Sequence, residues 1–290
     1  PTSAIDGNGD QWLFWIRPPG PGESDGQIRY RRQNNGVWQS GSDLLVTAAG
    51  SSLGVEAVSD STGRIWVFWQ EMRGASFLSN IFTRRFEGGA WSTELNVTEN
   101  TATGIFIDEL AVTVDDTDRV MVVWRQNNTD LRTRIVRTNL TMLAIRTVPA
   151  QLRAAPAVLF VNGEYVLFGL DVDTAAPPAT PVPISRTTST GTTWSAATTV
   201  GEVSNSGPFE LAAANDRFAG VWLFYSNGQP SVTGLYLVPG STTTNERILA
   251  RTTGIPNTPG TMVDGQGNIY LYFRPGALNE LHQLLLIMQE

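Results

Sequence analysis

The stretch Asp60-Ser61-Thr62-Gly63-Arg64-Ile65-Trp66-Val67-Phe68-Trp69 joins a turn signal to a four-residue aromatic block. The block is too short for a helix and rich in β-formers, so it reads as a buried strand entered through a hairpin. Outward from it the pattern recurs, at Trp12-Leu13-Phe14-Trp15, Met121-Val122-Val123-Trp124, Tyr165-Val166-Leu167-Phe168, Trp222-Leu223-Phe224-Tyr225 and Tyr270-Leu271-Tyr272-Phe273. The last residues of successive blocks lie 54, 55, 44, 57 and 48 positions apart, a period close to that of one four-stranded propeller blade. In four copies an Asp stands nine positions before the block's last residue, at Asp6, Asp60, Asp115 and Asp264.

The flanks repeat as well. Upstream lies a short apolar strand, as in Gly54–Val58 and Leu110–Val114, and downstream an Arg-rich strand, as in Ile28–Arg32 and Ile81–Arg85. A fourth strand then opens on Trp38, Trp91 or Trp194. With the strands named A to D, six of the nine Trp fall in B blocks and three open D. A single meander cannot bury both faces of an aromatic B strand, whereas stacked blades can. The expected architecture is therefore all-β, a six-bladed β-propeller of four-stranded blades forming one domain over residues 1–290. The blades are expected near 1–50, 51–104, 105–152, 153–205, 206–256 and 257–290. The register leaves the last blade without a D strand, with the apolar Leu284–Met288 run beside an open edge. Residues 281–290 are therefore a candidate surface for a protein partner or self-association.

Composition narrows the function classes. Charged residues make up 16% of the chain against about 25% in an ordinary soluble domain, while 28 Gly and 16 Pro supply turns. The net charge is −7 and no basic tract is present, so nucleic acid and anionic membrane surfaces are poor partners. No apolar run approaches the ~20 residues of a spanning helix. The absence of Cys and the presence of one His, His282, exclude thiolate chemistry and any site built on two imidazoles. All 20 basic residues are Arg. Arg29, Arg31, Arg32, Arg84, Arg85, Arg134, Arg137 and Arg186 fall in C strands, where a planar fork bridges packed blades, with an acidic neighbour as the expected partner of the Arg pairs.

The order of A strand, Asp-x-x-Gly turn, aromatic B strand, C strand and Gly-x-Thr-Trp entry into D resembles the Asp-box repeat of the sialidase-like propellers. The fullest match is Thr187-Thr188-Ser189-Thr190-Gly191-Thr192-Thr193-Trp194, with Ser189 where that family carries its Asp. The resemblance implies a propeller and a structural role for the box turn. Family enzymes would also need three Arg clamping a carboxylate, a Tyr–Glu nucleophile pair and an Asp acid/base. Here Arg17-Pro18 and Arg274-Pro275 only approximate the family's Arg-x-Pro motif, and no Tyr–Glu pair is placed by motif. The chain is expected to be non-catalytic.

Variable loops on a repetitive scaffold are where binding concentrates. The B–C loops are expected over about 17–27, 70–80, 125–133, 169–183, 226–231 and 274–281, the last but two being a stiff Pro-rich segment. Arg17, Glu71, Arg125, Asp171, Asn227 and Arg274 stand at or after the B-strand ends, and their forks, carboxylates and amides suit sugar hydroxyls or acidic groups. B-block tryptophans are expected between blades, and Trp38, Trp91 and Trp194 over the blade edges or, where exposed, under a sugar ring. Asp6, Asn8 and Asp10 alternate like calcium ligands but lack the later bidentate Glu. Asn96, Asn127 and Asn139 each begin an Asn-x-Thr glycosylation triplet. The function expected is a lectin-like, glycan-binding module on an extracellular or particle surface. The alternatives are a structural subunit of a larger surface assembly, such as a tail fibre, and a sialidase-like glycoside hydrolase.

Overall fold

A computed structural model describes residues 1–17, 26–40, 43–44, 50–74, 78–128, 130–149, 156–173, 180–200, 211–215, 220–225, 231–237, 244–251, 257–263, 267–274 and 282–286. All regular structure among them is β, and it falls into two compact units, Pro1–Thr147 and Val148–Glu290.

The first unit holds three sheets. The first contains β1 (Thr2–Ile5), β2 (Gln11–Arg17), β3 (Gln27–Asn34), β4 (Val37–Trp38) and β5 (Asp43–Leu44). The second contains β6 (Gly50–Ser59), β7 (Ile65–Arg73), β8 (Leu78–Glu87), β9 (Ala90–Trp91) and β10 (Leu95–Asn96), and the third β11 (Ile107–Val114), β12 (Val120–Gln126), β13 (Asp130–Val136) and β14 (Arg146–Thr147). The second unit holds β15 (Ala157–Val161), β16 (Glu164–Asp173), β17 (Thr180–Thr188) and β18 (Thr198–Thr199), then β19 (Leu211–Asn215), β20 (Val221–Tyr225), β21 (Ser231–Leu237) and β22 (Thr244–Arg251), and last β23 (Asn257–Val263), β24 (Ile269–Arg274) and β25 (His282–Leu286). Each sheet is an antiparallel meander in chain order, except that β5 pairs with β3 beside the short β4 and β10 with β8 beside the short β9. Five therefore carry at least the four strands expected of a blade, and the sixth carries three among the described residues.

The Asp turns form the A–B hairpins for a local reason. Asp60 Oδ1 accepts hydrogen bonds from the amides of Thr62 and Arg64, both at 3.1 Å, and Asp115 and Asp6 cap their turns in the same way. The fourth residue of each turn, Gly9, Gly63 or Asp118, takes a left-handed φ of 81°, 78° or 62°, as a three-residue hairpin loop closing on a bulge requires. The second carboxylate oxygen reaches past the turn into the strand. Asp6 and Asp60 each accept the indole N–H of the first block Trp, Trp12 at 3.0 Å and Trp66 at 2.9 Å. The turn of Asp264 lies outside the described residues. The three visible turns of the first unit also touch one another: Ser61 donates its amide to Asp118 Oδ1 at 2.8 Å, and Gly7 donates to the Gly63 carbonyl at 3.4 Å.

Burial follows the two-residue period of a strand. In β7, Ile65, Val67 and Trp69 pack with Trp12, Phe14 and Val55 against the first sheet, while Trp66 and Phe68 pack with Ile107, Val122 and Trp124 against the third. Equivalent cores join the fourth and fifth sheets around Phe168, Leu223 and Tyr225, and the fifth and sixth around Phe224, Leu271 and Phe273. Leu284 and Leu286 of the apolar run pack against that last core, half-buried.

Several expectations are corrected. The B and C strands run on through much of the predicted loops, so that Glu71 pairs with Asn80, Gln126 with Asp130 and Asp173 with Thr180. The Pro-rich segment is thereby largely a hairpin ladder, with only 174–179 between its strands. Of the Arg pairs, Arg32 stacks on Trp12 and Phe86 at 5.1 and 5.4 Å and Arg85 on Trp66 at 5.1 Å. Cation–π contact with the aromatic block thus adds to the acidic pairing expected, which Arg85 makes with Glu87 at 2.5 Å. In the Thr187–Trp194 box, the hydroxyl of Thr188 accepts from the amides of Thr190 and Gly191, so Thr188 rather than Ser189 caps the turn. Trp194 is buried and Trp91 packs on Trp12, Tyr30 and Phe86, leaving Trp38 as the exposed member of that trio.

Candidate functional site

The B–C end of the first unit collects three of the six expected site residues, and each is engaged by close neighbours in sequence or across its own sheet. Arg17, last in β2, donates through Nη2 to Gln27 Oε1 at 3.0 Å, and Arg29 donates to the same oxygen at 2.8 Å. Glu71 is fully buried inside β7. Its Oε2 accepts the indole N–H of Trp69 at 2.8 Å and Arg73 Nη2 at 2.7 Å. Arg73 in turn reaches Glu94 at 2.6 Å and lies 3.6 Å from the Phe82 ring centroid. Arg125 pairs across the ladder with Asp108, and its guanidinium holds that carboxylate at 2.7 Å and Glu109 at 2.9 Å. In the second unit Asp171 pairs with Val182 and Arg274 with Asn257 along the backbone; their side chains, and all of Asn227, lie outside the described residues.

The Arg125 corner has a built geometry that the sequence did not reveal. Phe106 donates its amide to Asn127 Oδ1 at 2.9 Å, and Asn127 donates its own to the Phe106 carbonyl at 2.8 Å. These two bonds tie the segment entering β11 to the β12–β13 turn, where Asn127 and Asn128 both adopt left-handed φ. Ile107 then pairs with Gln126, and Asp108 with Arg125. Paired residues share a face and alternate along the strand, so Asp108 and Arg125 lie on one side while Ile107 enters the core on the other. Phe106 remains 43% exposed although its backbone is fixed.

A regular strand would send Asp108 and Glu109 to opposite faces. The ladder instead shifts register between Asp108 and Leu110, and Glu109 in the bulge has φ of 55°. Both carboxylates therefore reach the same Arg. A left-handed non-glycine residue costs on the order of 1–3 kcal/mol and persists where its surroundings impose it, commonly at functional sites. The second sheet bulges at the same end, between Ser52 and Gly54, and leaves Leu53 exposed. Phe106, Asp108 and Glu109 escaped the sequence reading because that reading followed B-strand ends, whereas these residues lie at A-strand starts. The only signal available was the apolar Ile105-Phe106-Ile107 run, one residue longer than the inward-facing positions require.

The calcium reading of Asp6, Asn8 and Asp10 meets a different geometry. Asp6 accepts from two amides and an indole, and Asp10 accepts the amides of Asn35 and Gly36 at 3.1 and 2.9 Å. These oxygens close turns with N–H donors instead of converging on a cation. Among the described residues no group of three or more His, Asp or Glu side chains is arranged to hold a metal ion, and no helix is long and apolar enough to cross a membrane. The Asn96 and Asn139 side chains likewise cap local turns, accepting the amides of Thr98 and Thr141.

No protein-family profile matches the chain, and no curated protein matches it in sequence. Its likeness to solved structures is extensive. The α-L-arabinanase of Penicillium chrysogenum, solved with arabinobiose, superposes with a TM-score of 0.70 at 12% identity, over 98% of this chain and 92% of that one. The BP39L lectin of Burkholderia pseudomallei gives 0.63 at 13% identity over 98% and 83%, and the NanB sialidase of Streptococcus pneumoniae 0.67 at 9% over 97% and 66%. At such identities the likeness speaks for the fold, which lectins and glycoside hydrolases share. With its meander sheets and interleaved aromatic cores, the chain is an all-β protein with the β-propeller fold.

Proposed function

We propose that the chain is a non-catalytic carbohydrate-binding module of the Asp-box, sialidase-like kind, acting on an extracellular or particle surface. Sugar is taken at the B–C end of the first unit, on the corner formed by Phe106, Asp108, Arg125 and Asn127. One observation carries this reading: an exposed aromatic residue has its backbone fixed by paired hydrogen bonds two residues before Asp108, whose carboxylate and that of Glu109 hold the Arg125 guanidinium. A ring presents its face to sugar C–H groups, and fixed polar groups set orientation through the hydroxyls. The lectin and hydrolase neighbours are consistent with a sugar ligand. Against catalysis, Glu71 and Glu94 share Arg73, and Asp108 and Glu109 share Arg125. Carboxylates so engaged are turned to their Arg partners instead of flanking a glycosidic bond as a free pair.

The test is a glycan array probed with the full chain, beside a Phe106→Ala variant and assays on fluorogenic arabinosides and sialosides. Binding that falls at least tenfold in the variant, with no turnover, is expected. Undiminished binding in Phe106→Ala, or turnover, would overturn the assignment. The assembly alternative draws its support from β25, an edge strand among the described residues. Crosslinking of 282–286 to a second protein would favour it.

A further inference from the structure

We infer that the Phe106 corner accepts neutral polyhydroxylated rings and rejects sugars that carry a carboxylate. The inference rests on the proposed reading that sugar binds there, and it adds the ligand's charge class. A free Arg fork would favour an anionic sugar. Here Asp108 engages Arg125 through Nε and Nη2 at 3.1 and 2.7 Å, and Glu109 engages Nη2 at 2.9 Å. Two carboxylates to one guanidinium leave this trio with a formal charge of −1.

The bulge makes that balance deliberate, because without the left-handed Glu109 only one of two consecutive side chains would face Arg125. Arg73 at the same end of the neighbouring sheet is likewise shared between two carboxylates, Glu71 and Glu94. An incoming carboxylate must displace one of these acids or bind against their charge. A sugar hydroxyl instead donates to the carboxylate of Asp108, whose side chain is 18% exposed, while the sugar ring lies on Phe106.

Matched pairs distinguish these cases. The full chain is titrated calorimetrically with lactose against 3′-sialyllactose, and with cellobiose against its uronic acid counterpart, after an array of neutral and acidic glycans has identified the series that binds. The neutral member is expected to bind at least tenfold more tightly. Glu109→Gly keeps the left-handed backbone without steric cost and removes one acid, so the ratio is expected to fall several-fold. Glu109→Gln gives the same readout with the side-chain length retained. Equal or tighter binding of the acidic member overturns the inference while leaving the carbohydrate reading intact, as does an unchanged ratio in both variants. Failure of every neutral and acidic glycan to bind overturns both.

Discussion

Replacing Asp60 by alanine removes five hydrogen bonds at once. The carboxylate accepts from the Thr62 amide and hydroxyl, the Arg64 amide and Nε, and the Trp66 indole. The losses are unequal. The turn is exposed at Ser61 and Thr62, so water can re-solvate the Thr62 groups, and Arg64 keeps Asp118 and Glu87 within 3.4 and 3.7 Å. The Trp66 indole is fully buried, so its N–H is left without a partner, at a cost of about 1–3 kcal/mol. With the charge-assisted bond to Arg64 and the turn added, the total comes to roughly 3–5 kcal/mol.

The other repeats provide controls. Asp115→Ala strands no indole, since position 121 is Met, and Arg119 is 35% exposed and can rehydrate. Asp6→Ala strands the Trp12 indole but forfeits no Arg partner seen at its turn. Each should cost about 2 kcal/mol. Urea melts followed by fluorescence suit the comparison, because seven of the nine Trp lie in Pro1–Thr147. Equal costs at the three turns, or a smaller one at Asp60 than at Asp115, would refute the reasoning. There is also a pH signature. Burial works to raise the Asp60 carboxyl, but the bonds from Trp66, Thr62 and Arg64 outweigh it and hold the group below its ordinary value. Its stabilisation is therefore present above the ordinary carboxylate range and lost as pH falls through the lowered value, and Asp60→Ala should abolish that part of the acid limb.

Other consequences follow from single positions. Gly63 and Gly9 share a left-handed φ, yet a Cβ at Gly63 would stand 2.3 Å from the Gly7 backbone whereas one at Gly9 meets nothing within 4 Å. Gly9→Ala should cost about 1 kcal/mol from backbone conformation alone, and Gly63→Ala clearly more; matching melting temperatures would contradict this. Burial pushes the Glu56 carboxyl up to about 7, with the Thr2 hydroxyl opposing. The fold is therefore favoured below pH 4.5 and loses stability as pH rises towards 7, by up to about 3 kcal/mol. Since the side chain is only partly buried by surface, that figure is a ceiling. Glu56→Gln should be the more stable protein at pH 8 and show a flatter dependence between pH 4.5 and 7 in thermal melts. An unchanged pH profile would exclude Glu56 as its source.

The blades were legible in the sequence because their causes are local. An Asp that caps its own turn, a Gly or Asp that tolerates left-handed φ, and a block alternating towards two neighbouring cores all act within about ten residues of the last residue of each block. The Arg pairs were half legible: their place in the C strands was correct, but the stacking of Arg32 and Arg85 on Trp12 and Trp66 depends on which ring the ladder sets beside them.

The site was far less legible. Arg125 was marked by its position at a strand end, but its partners were not, since Asp108 lies 17 residues upstream and Glu109 joins it only through a bulge. Nothing in a one-dimensional pattern announces a bulge, because the register shift is decided by pairing with another strand. The sequence by itself thus determined the repeat, the strand order and the buried aromatic faces, all of which follow from side-chain periodicity and turn chemistry. Only the tertiary structure decided that Phe106 stays exposed near an Arg125 shared by two carboxylates, because that outcome depends on which side chains two distant strand ends bring together.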